Sequence, residues 1–525
     1  MSDRKKNIEA NEGAPDSWCV LPWSHVSVKG NGTFRVCCHS AASESRGTLK
    51  DSNNNNLHIS KSNWNDVVNN DTMKTVRKEM LAGKWPEPCI RCKREFDSGM
   101  KSRNLYERSL LADIIESENY PNFAKTKKLT SEDGSIKNKD FPISFLDIRF
   151  GNLCNLKCVM CSPTDSDQWY DDYNAVWGYD HFWDSGEKIM LEKNAKNKLK
   201  PARNVFDWSD DDKLWEQIEA HIDQFRRIYI VGGEPLIINA HYDFLQKCVD
   251  EGYASKLVIE YNTNITNVPQ RAWDIWKHFK NVIVGVSIDG IKEVNDLIRF
   301  PSKWRKIEEN LFKFSTAPGN YDVHITASIQ MLNIWQLPEF MDYILTSNIP
   351  RVGPWSHTPI MSPHPVHRPA YLNVNILPTS FKEKITKHYN EWQLKFKNTD
   401  YQNLYGESKG ATWKQKVDHA CRILDVYKEY MYKIEYDEKE LIKWRSNCVH
   451  FLDVLDTRRK TNWKETCPQL AEAILEELLT KGPMGVVTTH YANIKKFADS
   501  ADHVINANMQ FDSVNLKPKY ALELG

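Results

Sequence analysis

Three cysteines, Cys154, Cys158 and Cys161, stand within one short run, GNLCNLKCVMCSP, directly after the strand-like stretch FLDIRF. Thiolates bind iron and zinc, so this CxxxCxxC spacing reads as a metal loop. A cubane iron–sulfur cluster normally takes four thiolates. Three leave one iron open to a substrate or cofactor, much as catalytic zinc keeps one position free. A structural zinc site is the other reading. It needs a fourth ligand, and the nearest downstream histidine is His181, while zinc knuckles favour CxxC pairs.

Five further cysteines lie in the first hundred residues: Cys19, Cys37, Cys38, and Cys89 with Cys92 in PEPCIRCKREF. Cys19, Cys37, Cys89 and Cys92 suffice to close a second cluster with no open iron, with Cys38 as a spare or alternative ligand. The same four would equally satisfy a structural zinc ribbon. The region has few strongly periodic stretches, the pattern of a small fold nucleated by metal. Its clearest element is a helical run over Trp64 to Leu81, with Val67, Val68, Met73, Val76 and Met80 at helical spacing; DSNNNN, at Asp51 to Asn56, reads as a loop.

The elements that must position these thiols follow from the patterning beyond Ser144. The β-rich runs FLDIRF, RRIYIVGGEP, KLVIEYNTN, NVIVGVSIDG and VHITASIQM alternate with amphipathic helices such as Leu214 to Phe225 and Tyr242 to Val249. That alternation predicts a parallel sheet or barrel of α/β class, with the cysteine triplet on the loop at the carboxyl end of its first strand, where such barrels carry catalytic residues. Four units are expected: a metal-binding unit over 1–124, a polar linker over 125–143, a barrel over 144–369, and a mainly helical region over 370–525. An insert from about Trp177 to Asp212 lengthens the first crossover, as a lid or a partly disordered excursion.

Composition narrows the function classes. At 525 residues the chain exceeds one ordinary core. Lysine plus arginine equals aspartate plus glutamate at 70 each, so no net field recruits a polyanion, and nucleic acid is disfavoured as a partner. The Lys-rich stretch Glu187 to Arg203 is the one run suggesting it. No apolar segment spans a bilayer and the polar start MSDRKKNIEANEG is not an export signal, so the expected location is the cytoplasm, with no membrane partner. Twelve cysteines in such a chain point to metal or catalytic use rather than disulfides.

Taken together, Cys154, Cys158 and Cys161 resemble the cluster motif of the radical S-adenosylmethionine (SAM) superfamily, with Met160 where that family usually carries an aromatic. The resemblance runs from about Ser144 to Thr358. It includes Gly232, Gly233, Glu234 and Pro235, which match the family's GGEP element, and Ser287 to Gly290, which resemble its SxDG element. It implies a partial (β/α)6 TIM-type barrel whose three cysteines hold a [4Fe-4S] cluster, with SAM on the open iron. GGEP would lie along the methionyl ammonium of SAM, Glu234 shaping or accepting from it, and Ser287 and Asp289 near its ribose and carboxylate, with Arg299 following. Thr263, Asn264 and Gln330 are further strand-end positions toward the cofactor. The implied reaction is reductive cleavage of SAM to methionine and a 5′-deoxyadenosyl radical, which takes a hydrogen atom from the substrate.

Cys19, Gly32 and Cys37, with twelve and four residues between them, resemble the half-motif of the SPASM/twitch auxiliary-cluster domains, here ahead of the barrel rather than after it. Proteins with that combination mostly modify peptides or proteins by crosslinking, epimerisation or oxidation. The resemblance therefore implies a peptide or protein substrate, an auxiliary iron–sulfur cluster and an electron donor such as flavodoxin or ferredoxin. The alternatives are a small-molecule radical dehydrogenase and, ranked lower, a nucleic-acid-modifying enzyme. His25, His39, His364 and His367 read as surface or hydrogen-bonding residues, and His357 stands near a barrel end. Cys248, Cys421, Cys448 and Cys467 read as small buried hydrophobes, although an epimerase would need a thiol donor and the last three could supply one. The acidic run Asp207 to Asp212 reads as a helix start.

Overall fold

The computed structural model describes residues 11–40, 47–97, 102–114, 121–137, 143–184, 186–347, 360–408, 411–480, 507–512 and 517–524. Strands β1 (His25–Val28), β2 (Phe34–Arg35) and β3 (Phe145–Phe150) are followed by β4 (His181–Asp184), β5 (Glu187–Lys193) and β6 (Leu199–Pro201). Then come β7 (Arg227–Gly232), β8 (Val258–Thr263), β9 (Asn281–Ser287), β10 (Tyr321–Ile329) and β11 (Met361–Pro365).

Strands β3 and β7 to β11 lie side by side in chain order and all run parallel. Parallel neighbours need long crossovers. These are made here by helices Asp212–Glu219, Ala240–Asp250, Gln270–Trp276, Lys292–Ile298 with Trp304–Lys313, and Leu337–Ser347. The alternation read from the sequence is thus the α/β fold observed. Residue types explain the layering: along β10, Val323, Ile325, Ala327 and Ile329 are buried, while His324, Thr326 and Ser328 on the other face are half-buried and polar. The inner face is a polar lane rather than an apolar core.

The far edge of β3 is not free. β1 pairs parallel with it, His25 opposite Phe145 and Val28 opposite Ile148, and β2 returns antiparallel to β1. The cysteine-rich amino-terminal residues therefore share the barrel's sheet. Gly32 makes the turn between β1 and β2 at φ +77°, where a β-carbon would stand 2.4 Å from the His58 ring. At the lower end of the lane, buried Arg227 bonds Glu260 at 2.8 Å and Glu107 at 2.6 Å and stacks 4.1 Å over Phe145.

Three stretches differ from the sequence reading. Trp64 to Leu81 is two helices, Trp64–Val68 and Asp71–Leu81, because Asn63 and Asn70 each cap a new first turn with their side-chain oxygens. The polar stretch read as a linker from Lys125 carries a helix, Phe123–Leu129, and a bridge between Thr130 and Ile136. Arg77, fully buried, fastens that stretch by donating to Gly134 O at 2.7 Å and Pro22 O at 2.9 Å. Trp23 Nε1 also donates to Thr130 Oγ1 at 2.8 Å and Asn69 to Ile136 O at 2.8 Å, so the stretch is anchored from several distant side chains. The insert holds an antiparallel sheet β4–β5–β6 with an apolar cluster of Tyr170, Phe182, Ile189, Leu191 and Phe206.

Beyond β11 the chain is helical at Thr379–Asn398, Trp413–Tyr430, Glu438–Arg459 and Pro468–Thr480, and Ala507–Asp512 pairs antiparallel with Lys517–Leu524. Capping boxes at Thr412 and Asp437 start the second and third of these helices. His357 and Thr358, where the sequence resemblance ends, lie outside the described residues, as does much of the last forty. Among the described residues no helix is long and apolar enough to cross a membrane.

Candidate active site

The triplet loop leaves β3 through Gly151, at φ +51°, where a β-carbon would meet the Phe206 carbonyl oxygen at 2.5 Å. Fixed partners hold it from several elements. Cys154 N–H donates to Asp167 Oδ1 at 3.1 Å, and Trp169 Nε1 donates to Cys158 O at 3.0 Å. Lys157 N–H and Val159 N–H donate to Phe300 O and Ile298 O, both at 2.8 Å. Cys154 and Cys158 are buried and Cys161 is half-buried.

The three thiols bear on one another. Burial pushes Cys154 up to about 12, with Cys158 adding to it. The hydrogen bond between Cys161 and Cys158 raises Cys161 and holds Cys158 below the ordinary cysteine range, the latter helped by Arg299. A metal binds the thiolate form, so one taken up here would displace the protons that Cys154 and Cys161 hold.

The strand ends named by the sequence converge here. Gly232 and Gly233 lie against the loop: added β-carbons would stand 2.6 Å from Phe150 O and 2.2 Å from Leu153 O. Protein backbone therefore accounts for these two glycines. Glu234, fully buried, accepts from Leu236 N–H at 3.0 Å, Thr263 O–H at 2.7 Å and Asn264 N–H at 2.8 Å, and burial raises its pKa. Both its oxygens are occupied by the chain, so it braces the end of β8. Pro235 opens the short turn Pro235–Ile237. Asn264 donates to Asn155 Oδ1 of the cysteine loop at 2.9 Å.

Ser287 ends β9, half-buried. Asp289 pairs with Arg299 at 2.7 Å and accepts from Ser328 N–H at 2.6 Å, while Arg299 Nη1 lies 3.9 Å from Cys158 Sγ. Gln330 is fully buried, and neither end of its amide has a hydrogen-bond partner among the described residues.

Sequence reasoning missed the carboxyl-terminal contribution. Helix Glu438–Arg459 lays Phe451 on Trp169, the rings 6.0 Å apart and nearly parallel. Its last residue, Arg459, sits 4.8 Å from the Trp169 ring and 5.4 Å from Phe300, with Nε 2.9 Å from Asp172 Oδ2. Asp172 also takes Arg458 Nε and Lys157 Nζ, each at 2.9 Å. Basic residues closing a helix ordinarily read as dipole partners, so nothing local in the sequence marks this contact.

A second constellation lies beyond β1. Cys19, Cys37, Cys89 and Cys92 wall one small cavity with Val36, Met80, Trp85 and Arg103. Burial raises all four thiols, Cys37 to about 12 and Cys92 to about 11. Cys38 is not in that wall. Burial lifts it to about 12, and Arg103 is the strongest opposing influence. His39 stands 3.7 Å from Cys92 Sγ and 3.5 Å from Glu95, making His39, Cys92 and Glu95 a group able to hold a metal among the described residues. Arg103 lines the cavity and also lies 5.7 Å over Tyr229 on β7, joining the cavity to the polar lane. Cys448 and Cys467 are buried among the carboxyl-terminal helices, with Cys467 Sγ donating to Leu332 O at 3.2 Å.

A barrel of parallel strands with three thiols at the end of its first strand defines a class, and residues 148–344 match the radical SAM superfamily model. Residues 148–344 thus form a radical SAM domain. Short stretches also match endonuclease MutS2: from Thermomicrobium roseum at 50% identity over 56 residues, 11% of this chain and 7% of that protein, and from Thermus thermophilus at 41% over 76 residues, 14% and 10%. The chain thus spans about a tenth of the length of these curated relatives. Among solved structures, Streptococcus suis SuiB bound to S-adenosylmethionine is 14% identical, covering 64% of this chain and 66% of that one at TM-score 0.30. AnSMEcpe with bound AdoMet is 13% identical, covering 64% and 99% at TM-score 0.32.

Proposed function

We propose that this enzyme holds a [4Fe-4S] cluster on Cys154, Cys158 and Cys161 with SAM against it, and an auxiliary iron–sulfur cluster on Cys19, Cys37, Cys89 and Cys92. Its substrate, on this reading, is a peptide or protein. The observation that carries the proposal is the gathering of two thiol groups, the triplet on the loop after β3 and four cysteines around one small cavity whose Arg103 also meets Tyr229 of β7. The triplet fits an open cluster: Cys154 and Cys158 are buried, Cys161 is half-buried, and the Arg299 guanidinium lies beside Cys158.

When bound, that pair of cofactors supplies the electron and the carbon–sulfur cleavage that yield a 5′-deoxyadenosyl radical. The chain's own work is positional. Asn155 and Asn264 tie the loop to β8, Glu234 fixes the strand end, and Asp289 aims Arg299 at Cys158. His324, Thr326, Ser328, Ser362 and His364, half-buried or exposed on β10 and β11, give the lane a long polar wall suited to a chain-like substrate. A small-molecule dehydrogenase is the second reading, favoured by the seclusion of Asp147, which is fully buried in the same lane.

The test is deuterium transfer. The reconstituted enzyme is incubated with SAM, dithionite and either the peptide or the metabolite fraction of fully deuterated cells. Deuterium in 5′-deoxyadenosine from the peptide fraction supports the proposal. Label from the metabolite fraction alone assigns the dehydrogenase reading instead.

A further inference from the structure

Asp172 is buried and carries one negative charge, yet three cations close on it: Lys157, Arg458 and Arg459, each at 2.9 Å. This leaves an excess of positive charge beside the cysteine loop, to which Lys157 itself belongs. Arg458 is the outermost of the three, its side chain 39% exposed against 1% for Arg459. Water screens the first charge and not the second.

Arg459 uses only part of its hydrogen-bonding capacity. Nε meets Asp172, the flat face lies over Trp169 and Phe300, and both Nη atoms are inaccessible to solvent and lack hydrogen-bond partners among the described residues. A buried ionised donor left unpaired is strongly unfavourable, so a partner is called for. Trp169 and Phe300 fix where to look, since Trp169 donates to the Cys158 carbonyl and the Phe300 carbonyl accepts from Lys157 N–H. The guanidinium is therefore held against the stretch containing Cys158, and its charge acts on Cys158 and Cys161.

We infer that Arg459 supplies its two Nη groups as hydrogen-bond donors to the sulfurs of the cluster held by Cys154, Cys158 and Cys161, so that the carboxyl-terminal helix raises the reduction potential of that cluster. Three thiolates on a cubane give an anionic assembly whose charge grows by one on reduction. A fixed cation and donors to sulfur favour the reduced form. The region after the barrel then has a defined task in the chemistry: it makes the first electron easier to accept, and Asp172 is the positioning residue that aims Arg459.

This rests on the core site holding an iron–sulfur cluster, and the experiment separates the two claims. The full-length reconstituted protein is titrated electrochemically without SAM, and the reduced cluster is followed by electron paramagnetic resonance. The core signal is the one lost in the combined Cys154→Ala, Cys158→Ala, Cys161→Ala variant. In Arg459→Gln the ratio of reduced to oxidised core cluster at a fixed potential should fall about tenfold, a 59 mV downward shift for a one-electron couple. Arg459→Lys, which keeps the charge and loses the fork, should shift in the same direction by less. Arg458→Gln, which gives up an equal contact with Asp172, should leave the midpoint in place. An unchanged midpoint in Arg459→Gln with iron retained overturns the inference, as does an equal shift in Arg458→Gln. If Arg459→Gln takes up no iron, Arg459→Lys decides: a downward shift supports the inference and an unmoved midpoint overturns it. A wild-type protein without the core signal contradicts the cluster assignment instead.

Discussion

Arg299 grips Asp289 at 2.7 Å and holds its Nη1 3.9 Å from Cys158 Sγ, so one buried ion pair couples the end of β9 to the cysteine loop. Asp289 is in turn fastened by Ser328 N–H and by Asn333, which donates to its backbone carbonyl at 2.7 Å. Removing one member leaves a buried charge unpaired, a loss of about 3–5 kcal/mol. Asp289→Asn should therefore lower the urea midpoint and hold the Cys158 pKa lower still, because the carboxylate that opposes Arg299 at this thiol is gone. Thiol titration of the metal-free protein checks the second effect, and an unmoved Cys158 would contradict it.

A backbone contact gives the second prediction. In Gly233→Ala the new methyl would meet Leu153 O at 2.2 Å, and that carbonyl cannot withdraw without moving Cys154. Iron bound by the core should be lost, about four per chain for a cubane. Gly178→Ala is the control: nothing lies within 4 Å of its new carbon, so even at φ +69° it should lose only about 1 kcal/mol of stability and no iron.

Much of this site is legible in the sequence because the chemistry is local. CxxxCxxC and GGEP place their residues at strand ends, and strand ends follow from β-rich runs. What stays hidden depends on contacts between distant residues. Nothing in HVSV foretells that β1 joins β3 and brings Ser27 to donate to Asp147 at 2.9 Å. Nothing in DTRRK separates Arg459, buried over the Trp169 and Phe300 rings, from Arg458, which stays near solvent. The polar run from Lys125 is another case, since Gly134 O within it accepts from buried Arg77, 57 residues away.

Acid should destabilise the fold through His241. Burial holds this ring, fully enclosed and bonded to Ile238 O at 2.7 Å, down to about 3. Its folded pKa lies below the unfolded value near 6.5, so its contribution is complete above that value and is lost as pH falls toward the folded one. Between pH 7 and pH 5 the unfolding free energy should drop by about 2 kcal/mol from this group alone. His241→Phe should flatten that slope in urea titrations; an identical slope would contradict the assignment.

At the base of the lane, Glu107→Gln should cost about 3–5 kcal/mol by weakening the neutralisation of both Arg227 and Arg103, whereas replacing Arg103, Arg227, Glu107 and Glu260 together with apolar residues should cost far less. Chemical denaturation of the two variants gives the comparison. Equal losses would mean that packing rather than charge decides there.

The central claim is that cleavage of SAM takes place at the triplet at the end of β3. The direct measurement is anaerobic reconstitution with iron and sulfide, followed by SAM and dithionite, comparing wild type with the combined Cys154→Ala, Cys158→Ala, Cys161→Ala variant. Roughly eight irons per chain falling to about four, together with loss of 5′-deoxyadenosine formation, is the predicted result. Zinc in place of iron, or undiminished 5′-deoxyadenosine from the variant, would contradict it.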